Sequence, residues 1–350
     1  LPLPKIARGI ARIAIAALLV WGVVTAVRNS AQQLGEQQAA LRQQAAELER
    51  LADEQSMESA SLRSKAAELR RQERDYWKAD WRFLLLSGAI YGISLLPAAR
   101  FWQECLTALG QKVPMRTAFW AYFYGNLGKY IPGKAMVIVL RLSSLAPWNV
   151  RRLATTLTIF LETLTMMAVG SAMAAICFML LNLDWRLSML SAMAVVCMFL
   201  PTYPPLLRYL LVRLQPGIQP EELLEWAGRI NWRLVARGWM WLGLTWLGFG
   251  LSLGCILQGL ACTDLQSISA WQFWLSSLAA CASAVVLGFV SMVPGGAGVR
   301  EVVVSLVLAP VVGPTAALSC ALWLRITWLA VEMLMAAGFY FARFPVATDR

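Results

Sequence analysis

Histidine is absent from this 350-residue chain. That absence removes a histidine general base, a Ser-His-Asp triad and histidine-built metal sites from the chemistry open to it. Cysteine occurs seven times, as Cys105, Cys177, Cys197, Cys255, Cys262, Cys281 and Cys320, but never in a CxxC spacing. The thiols therefore read as small packing residues, and neither a metal site nor another cofactor site is expected. Charge is scarce as well: 15% of residues are charged against 59% hydrophobic. The mean hydropathy of +0.57 lies far from the balance of a soluble domain. The period-two alternation of a membrane β-barrel is also missing.

What the chain has instead is a series of apolar runs of about 20 residues, long enough to cross roughly 30 Å of hydrocarbon as helices. They predict an integral membrane protein, all-α, folded as a polytopic helix bundle. The net charge of +11 comes mainly from Lys and Arg in loops beside these runs. That placement fits membrane orientation and anionic lipid headgroups better than nucleic acid.

Three regions follow from composition. Residues 1–28 hold the run Ile10 to Val27, with Lys5, Arg8 and Arg12 at its start, and read as a retained transmembrane anchor beginning in the cytoplasm. Residues 29–82 are rich in Ala, Gln, Glu and Arg, with Leu34, Leu41, Leu48, Gln55, Leu62, Leu69 and Tyr76 seven apart and Ala31, Ala45, Ala52 and Ala66 at companion positions. This predicts a coiled coil, folded as an antiparallel hairpin turning near Asp53 to Ser59 because the chain must return to the membrane at Phe83. It would stand on the outer side as a spacer, a homodimerisation arm or a surface for a protein partner.

Residues 83–350 form the membrane domain. Phe83 to Ala99 would cross inward, since Arg100, Lys112 and Arg116 follow it. Thr117 to Pro147 has two short apolar halves hinged at Pro132-Gly133, with basic residues on both flanks, and predicts a re-entrant hairpin from the cytoplasmic side. Leu153 to Leu181 and Leu187 to Leu207 cross out and back. An interfacial helix is expected around Pro220 to Arg233. Trp239 to Ala261 crosses outward. Trp271 to Val312 is hinged by Pro294, Gly295, Gly296 and Gly298 and predicts a second re-entrant hairpin, from outside. Ala316 to Phe341 returns inward, which places both termini in the cytoplasm. Units of about 83–181 and 238–341 thus repeat one pattern with opposite topology, an inverted repeat of the kind that places transporter sites at broken helices.

Charges inside apolar segments cost a few kcal/mol each at the bilayer centre, so each needs a partner or a watery cavity. Lys129, Lys134 and Arg141 surround the first hinge with Asn126 and Gly128, Arg300 and Glu301 follow the second, and Glu162, Arg325 and Glu332 lie in crossing helices. Two readings stand side by side. In one, Asn126, Lys129, Lys134, Arg141, Arg300 and Arg325 line a basic cavity for a phosphate headgroup, with Glu162, Glu301 and Glu332 as coupling or ion-pair groups. In the other, the same charges pair to lock the hinges, Arg325 and Glu332 sharing an intermediate group or reaching Glu162 and Arg141. On the cavity reading, Arg141→Ala and Arg300→Ala both abolish function and leave folding intact.

The stretches "GNLGKYIPGK", with Arg141 and Glu162 after it, and "VPGGAGVRE" resemble the transmembrane domain of the lysylphosphatidylglycerol synthase family, the flippase-like proteins related to the flippase domain of multiple peptide resistance factor. The resemblance covers Phe83 to Phe341 and, more loosely, the first helix. It implies a domain in the bacterial plasma membrane that moves lipids between leaflets, with Asn126, Lys129, Pro132, Gly133, Lys134, Arg141, Glu162, Pro294, Gly295, Gly296, Gly298, Arg300 and Glu301 as motif positions. The coiled coil departs from that pattern. Nine residues follow Phe341, so no aminoacyl-transfer activity is expected. The leading expectation is a non-enzymatic translocase of an anionic phospholipid, an aminoacylated lipid or a polyprenyl-phosphate-linked lipid. The alternatives are a membrane-embedded transferase, with Glu162, Glu301, Glu332 or Asp184 as base, and a coiled-coil scaffold held in the membrane.

Overall fold

The structure is a computed structural model. It describes residues 38–54, 59–75, 78–130, 135–182, 185–206, 228–261 and 268–341, with Arg28, Gln32, Gly35, Glu36, Tyr209 and Trp226 as isolated positions. The expected anchor at Ile10 to Val27, most of the interfacial helix, Asp184 and the hinge residues Pro132, Gly133 and Lys134 lie outside these. Among the described residues the fold is all-helical, with one isolated antiparallel bridge, Ala79 to Leu260. Among the described residues six segments are long and apolar enough to cross a membrane. This is a multi-pass membrane protein.

The bundle helices are α1 (Trp81–Ala108), α2 (Met115–Asn126), α3 (Ala135–Leu145), α4 (Arg152–Leu180), α5 (Trp185–Phe199), α6 (Trp232–Gly259), α7 (Ala270–Val290), α8 (Val299–Val312) and α9 (Pro314–Phe341). Their starts carry side-chain caps where sequence offers them. Asp80 accepts from the Arg82 amide at 2.9 Å, Asn231 from Leu234 at 3.0 Å and Ser269 from Gln272 at 3.3 Å, satisfying amides that have no intrahelical acceptor. α1 does not stop at Ala99 as the charge at Arg100 suggested. Arg100 pairs with Glu104 one turn on, at 3.3 Å, so the helix continues to Ala108.

Small residues let the long helices approach, as expected where lipid offers no hydrophobic drive for association. α1 and α6 run antiparallel: Ser87 and Ser252 share a 2.8 Å hydrogen bond, and Gly248 faces Ser94 while Gly238 faces the Phe101 ring. α9 runs parallel to α1, with Gly88 against Thr327 and Val331 and Gly92 against Val331 and Met335. The core is this set of helices with α4 and α7, around Trp102, Trp246 and Phe249. α2 packs on α3, and α7 on α8. At 12 and 11 residues, α2 and α3 are about 17 Å long. α7, with 21 residues, reaches about 31 Å, longer than the half-span expected from the sequence.

Outside the bundle, helical residues 38–54 and the helix Ser59–Asp75 run in opposite directions. Arg70 meets Glu49 at 3.2 Å and Arg63 meets Asp53 at 2.9 Å. Ala45, Ala52 and Ala66 are buried. Leu41 and Leu318 pack on the buried Leu322 of α9.

Candidate functional site: the two hinges

The breaks between α2 and α3 and between α7 and α8 meet inside the bundle. After Asn126 the chain tightens into a 3-10 turn, Leu127–Tyr130. The Gly128 α-carbon lies against the backbone of Met136 and Val137, where an added Cβ would sit 2.5 Å from the Val137 nitrogen. In the second break, Gly295, Gly296 and Gly298 have φ of +61°, +68° and +81°, a left-handed region that side-chain-bearing residues rarely occupy. A Cβ at Gly295 would lie 3.3 Å from the Tyr130 ring, so the hinges are in contact.

Around this contact the charges sort into three buried sets. In the first, Arg141 of α3 donates to Glu162 of α4 at 2.9 Å and to Asn126 Oδ1 at 3.2 Å. Its guanidinium lies 4.3 Å from the Tyr122 ring centroid and 4.6 Å from that of Trp102, a doubled cation–π contact. Tyr122 also donates to Glu162 at 3.3 Å. Both charged residues are only 2% exposed.

In the second set, Glu332 of α9 accepts from Lys129 at 2.5 Å, from Tyr130 at 3.0 Å and from Tyr91 of α1. The Tyr91 ring stacks on Trp328, centroids 4.2 Å apart. One carboxylate thus ties the first hinge to α1 and α9. In the third set, Arg325 of α9 donates to Glu301 of α8 at 2.5 Å. Arg325 and Glu332 were expected to share an intermediate group or to reach Glu162 and Arg141 across the bundle. Instead each takes a partner from a different hinge, Glu332 from Lys129 of the first and Arg325 from Glu301 after the second.

Arg300 differs from the rest. It makes no hydrogen bond or ion pair with any described residue, and its Nε is buried without a partner. The side chain runs through a slot between Gly288 of α7 and Gly296, where a Cβ on Gly296 would come 2.7 Å from Nε. A cavity of about 40 Å³ opens beside it, lined by Lys129, Tyr130, Arg300, Glu301, Arg325 and Trp328 among others. Glu301 Oε2 and Arg325 Nη2 are also buried there without partners. Such a cavity has room for about one water.

The sequence profile described as the lysylphosphatidylglycerol synthase TM region matches residues 66–336. The chain belongs to this family. No curated protein matches it. The family region begins within the helix Ser59–Asp75 and not at Phe83, so part of the outer helical pair, set apart from the family on sequence alone, falls inside the match. Of the motif positions that the resemblance implied, Asn126, Arg141 and Glu162 form one cluster, Lys129 joins the Glu332 cluster, and Gly295, Arg300 and Glu301 border the cavity. Tyr91, Trp102, Tyr122, Tyr130 and Trp328 complete the clusters. Tyr130 sits inside the quoted motif, whereas Tyr91 lies in an apolar run with no sequence signal beyond its hydroxyl.

Proposed function

We infer that this family member is a lipid translocase that passes a phosphate-bearing anionic headgroup between leaflets along the contact of two helical hairpins, a short one, α2–α3, and a longer one, α7–α8, whose first arm is long enough to span the membrane. The outer helical pair is a coiled-coil hairpin beside this machinery. The observation that carries the reading is Arg300: a cation aimed into a polar cavity at a broken helix, with no ion pair among the described residues. Charges at membrane depth face a partner or a pathway, and the neighbouring Arg325 and Glu301 are only half satisfied.

The cavity is too small for a headgroup, so the arrangement corresponds to a closed state. Passage requires the hinge contact between Tyr130 and Gly295 to part, by rocking one unit against the other. Arg141 does not join the pathway in this reading. It is held by Glu162, Asn126 and two rings, and acts as the lock that shapes the first hairpin. The test is movement of a fluorescent anionic lipid in proteoliposomes. Arg300→Ala should abolish it while the protein keeps its melting temperature, and Arg300→Lys should retain part of it because charge remains but the planar fork is lost. Undiminished movement with Arg300→Ala overturns the reading.

A further inference from the structure

The donors that hold Glu332 belong to two different bodies. Tyr91 is part of α1, whereas Lys129 and Tyr130 are part of the first hinge. α1 is fastened to α9 around the carboxylate: Gly88 and Gly92 lie against Thr327, Val331 and Met335, and the Tyr91 ring stacks on Trp328. Movement of the first hinge away from Gly295 therefore takes Lys129 and Tyr130 from Glu332 and leaves Tyr91 in place.

The two members of the Lys129–Glu332 pair are placed unequally. The Lys129 side chain is 28% exposed and that of Glu332 only 2%. Once separated, the ammonium can keep its charge in water at the cavity, while the carboxylate stays enclosed in α9, a helix of membrane-crossing length. The other ionisable groups near them are Arg300 and Glu301 of α8, Arg325 of α9 and Cys281 of α7, which line the cavity together with Lys129 and Tyr130. Arg325 donates to Glu301. Among the described residues, α2 and α6 give Glu332 no hydrogen bond or ion pair. A lone buried carboxylate neutralises by taking up a proton. Tyr91 suits both forms, since a phenol donates to a carboxylate and accepts from a carboxylic acid.

We propose that Glu332 is a proton-binding site that couples hinge opening to proton uptake. In the closed arrangement Glu332 is ionised and paired with Lys129. In the open one Glu332 carries a proton beside Tyr91, and Lys129 is released as a cation next to Arg300. One proton is bound on opening and released on closing, so acidity favours the open form, by up to about tenfold per pH unit. This role rests on the translocase reading given above.

Two measurements on the full chain test it. In proteoliposomes carrying a fluorescent anionic lipid and a trapped pH dye, wild-type lipid movement should quicken as pH falls from about 8 to about 6, by up to about tenfold per unit, and should bring protons with it. Glu332→Gln should flatten that profile and abolish the proton signal, and Glu332→Asp should restore a sloping profile. A purely structural glutamate would alter the rate at every pH alike. The second measurement needs no transport: a carbodiimide, which reacts with protonated carboxyl groups, should label Glu332 faster at about pH 6 than at about pH 8. Lys129→Gln should be labelled at about pH 8 as fast as wild type is at about pH 6. A wild-type slope in Glu332→Gln, lipid movement without proton entry, or no labelling of Glu332 at about pH 6 overturns the proposal. An absence of wild-type lipid movement defeats the translocase reading instead, and where Glu332→Gln does not fold the labelling decides.

Discussion

Arg141 and Glu162 bear opposite charges 2.9 Å apart in surroundings that exclude water. Removing water from two ions costs several kcal/mol each, and Asn126, Tyr122 and the Trp102 and Tyr122 rings offset part of this, while the Arg141 Nε stays buried without a hydrogen bond among the described residues. The consequence concerns folding before transport. Arg141→Met leaves Glu162 buried and unpaired, and the expected loss is about 3–5 kcal/mol, seen as a fall in melting temperature in detergent. The double change Arg141→Met/Glu162→Gln should recover part of that loss, since the orphan charge is gone. This departs from the expectation, drawn from sequence, that Arg141→Ala leaves folding intact. Scarcity of charge in apolar runs made Arg141, Glu162, Glu301, Arg325 and Glu332 legible as a set. Which charge meets which was not legible, because a pairing between α8 and α9 or between the first hinge and α9 depends on tertiary packing that spacing within one helix does not encode.

At the scale of elements, the glycines divide into those that meet backbone and those that meet flexible side chains. At Gly128 a methyl group would press on the Val137 nitrogen at 2.5 Å and the Met136 carbonyl carbon at 2.7 Å. Neither atom can move without shifting the start of α3. Gly128→Ala should therefore cost about 1–3 kcal/mol through overpacking. At Gly243 of α6 the nearest atom is the Met173 methyl at 3.6 Å, an ordinary contact at the end of a flexible chain. Gly243→Ala should leave the melting temperature within about 1 °C of wild type, or raise it slightly because alanine is the better helix former. Equal losses in the two variants would contradict the hinge geometry. Helix breakers told where the second hinge lies, since Gly295, Gly296 and Gly298 all adopt positive φ. They did not tell how long its arms are. The apolar run into Val290 has no internal marker separating a half-span from the 21-residue α7, and the length is set by where Ser269 caps the helix.

For the whole molecule, the question is whether the two hinges separate. Cys281 of α7 offers a native reporter: it is 1% exposed and lines the hinge cavity beside Arg300. In a protein whose other six cysteines are replaced by serine or alanine, an anionic thiol reagent should reach Cys281 slowly, because the cavity opens only when Tyr130 and Gly295 part. Labelling should be slower still with excess anionic lipid, which would occupy the same space, and slower in Arg300→Ala, which no longer draws the anion in. Labelling by a neutral reagent should depend little on Arg300, separating access from attraction. If Cys281 stays unlabelled through many hours in liposomes where lipid moves, the hinges do not open and the path must run elsewhere. The three ion-paired sets would then be fixed struts, consistent with their burial, and the free charge of Arg300 would need another occupant.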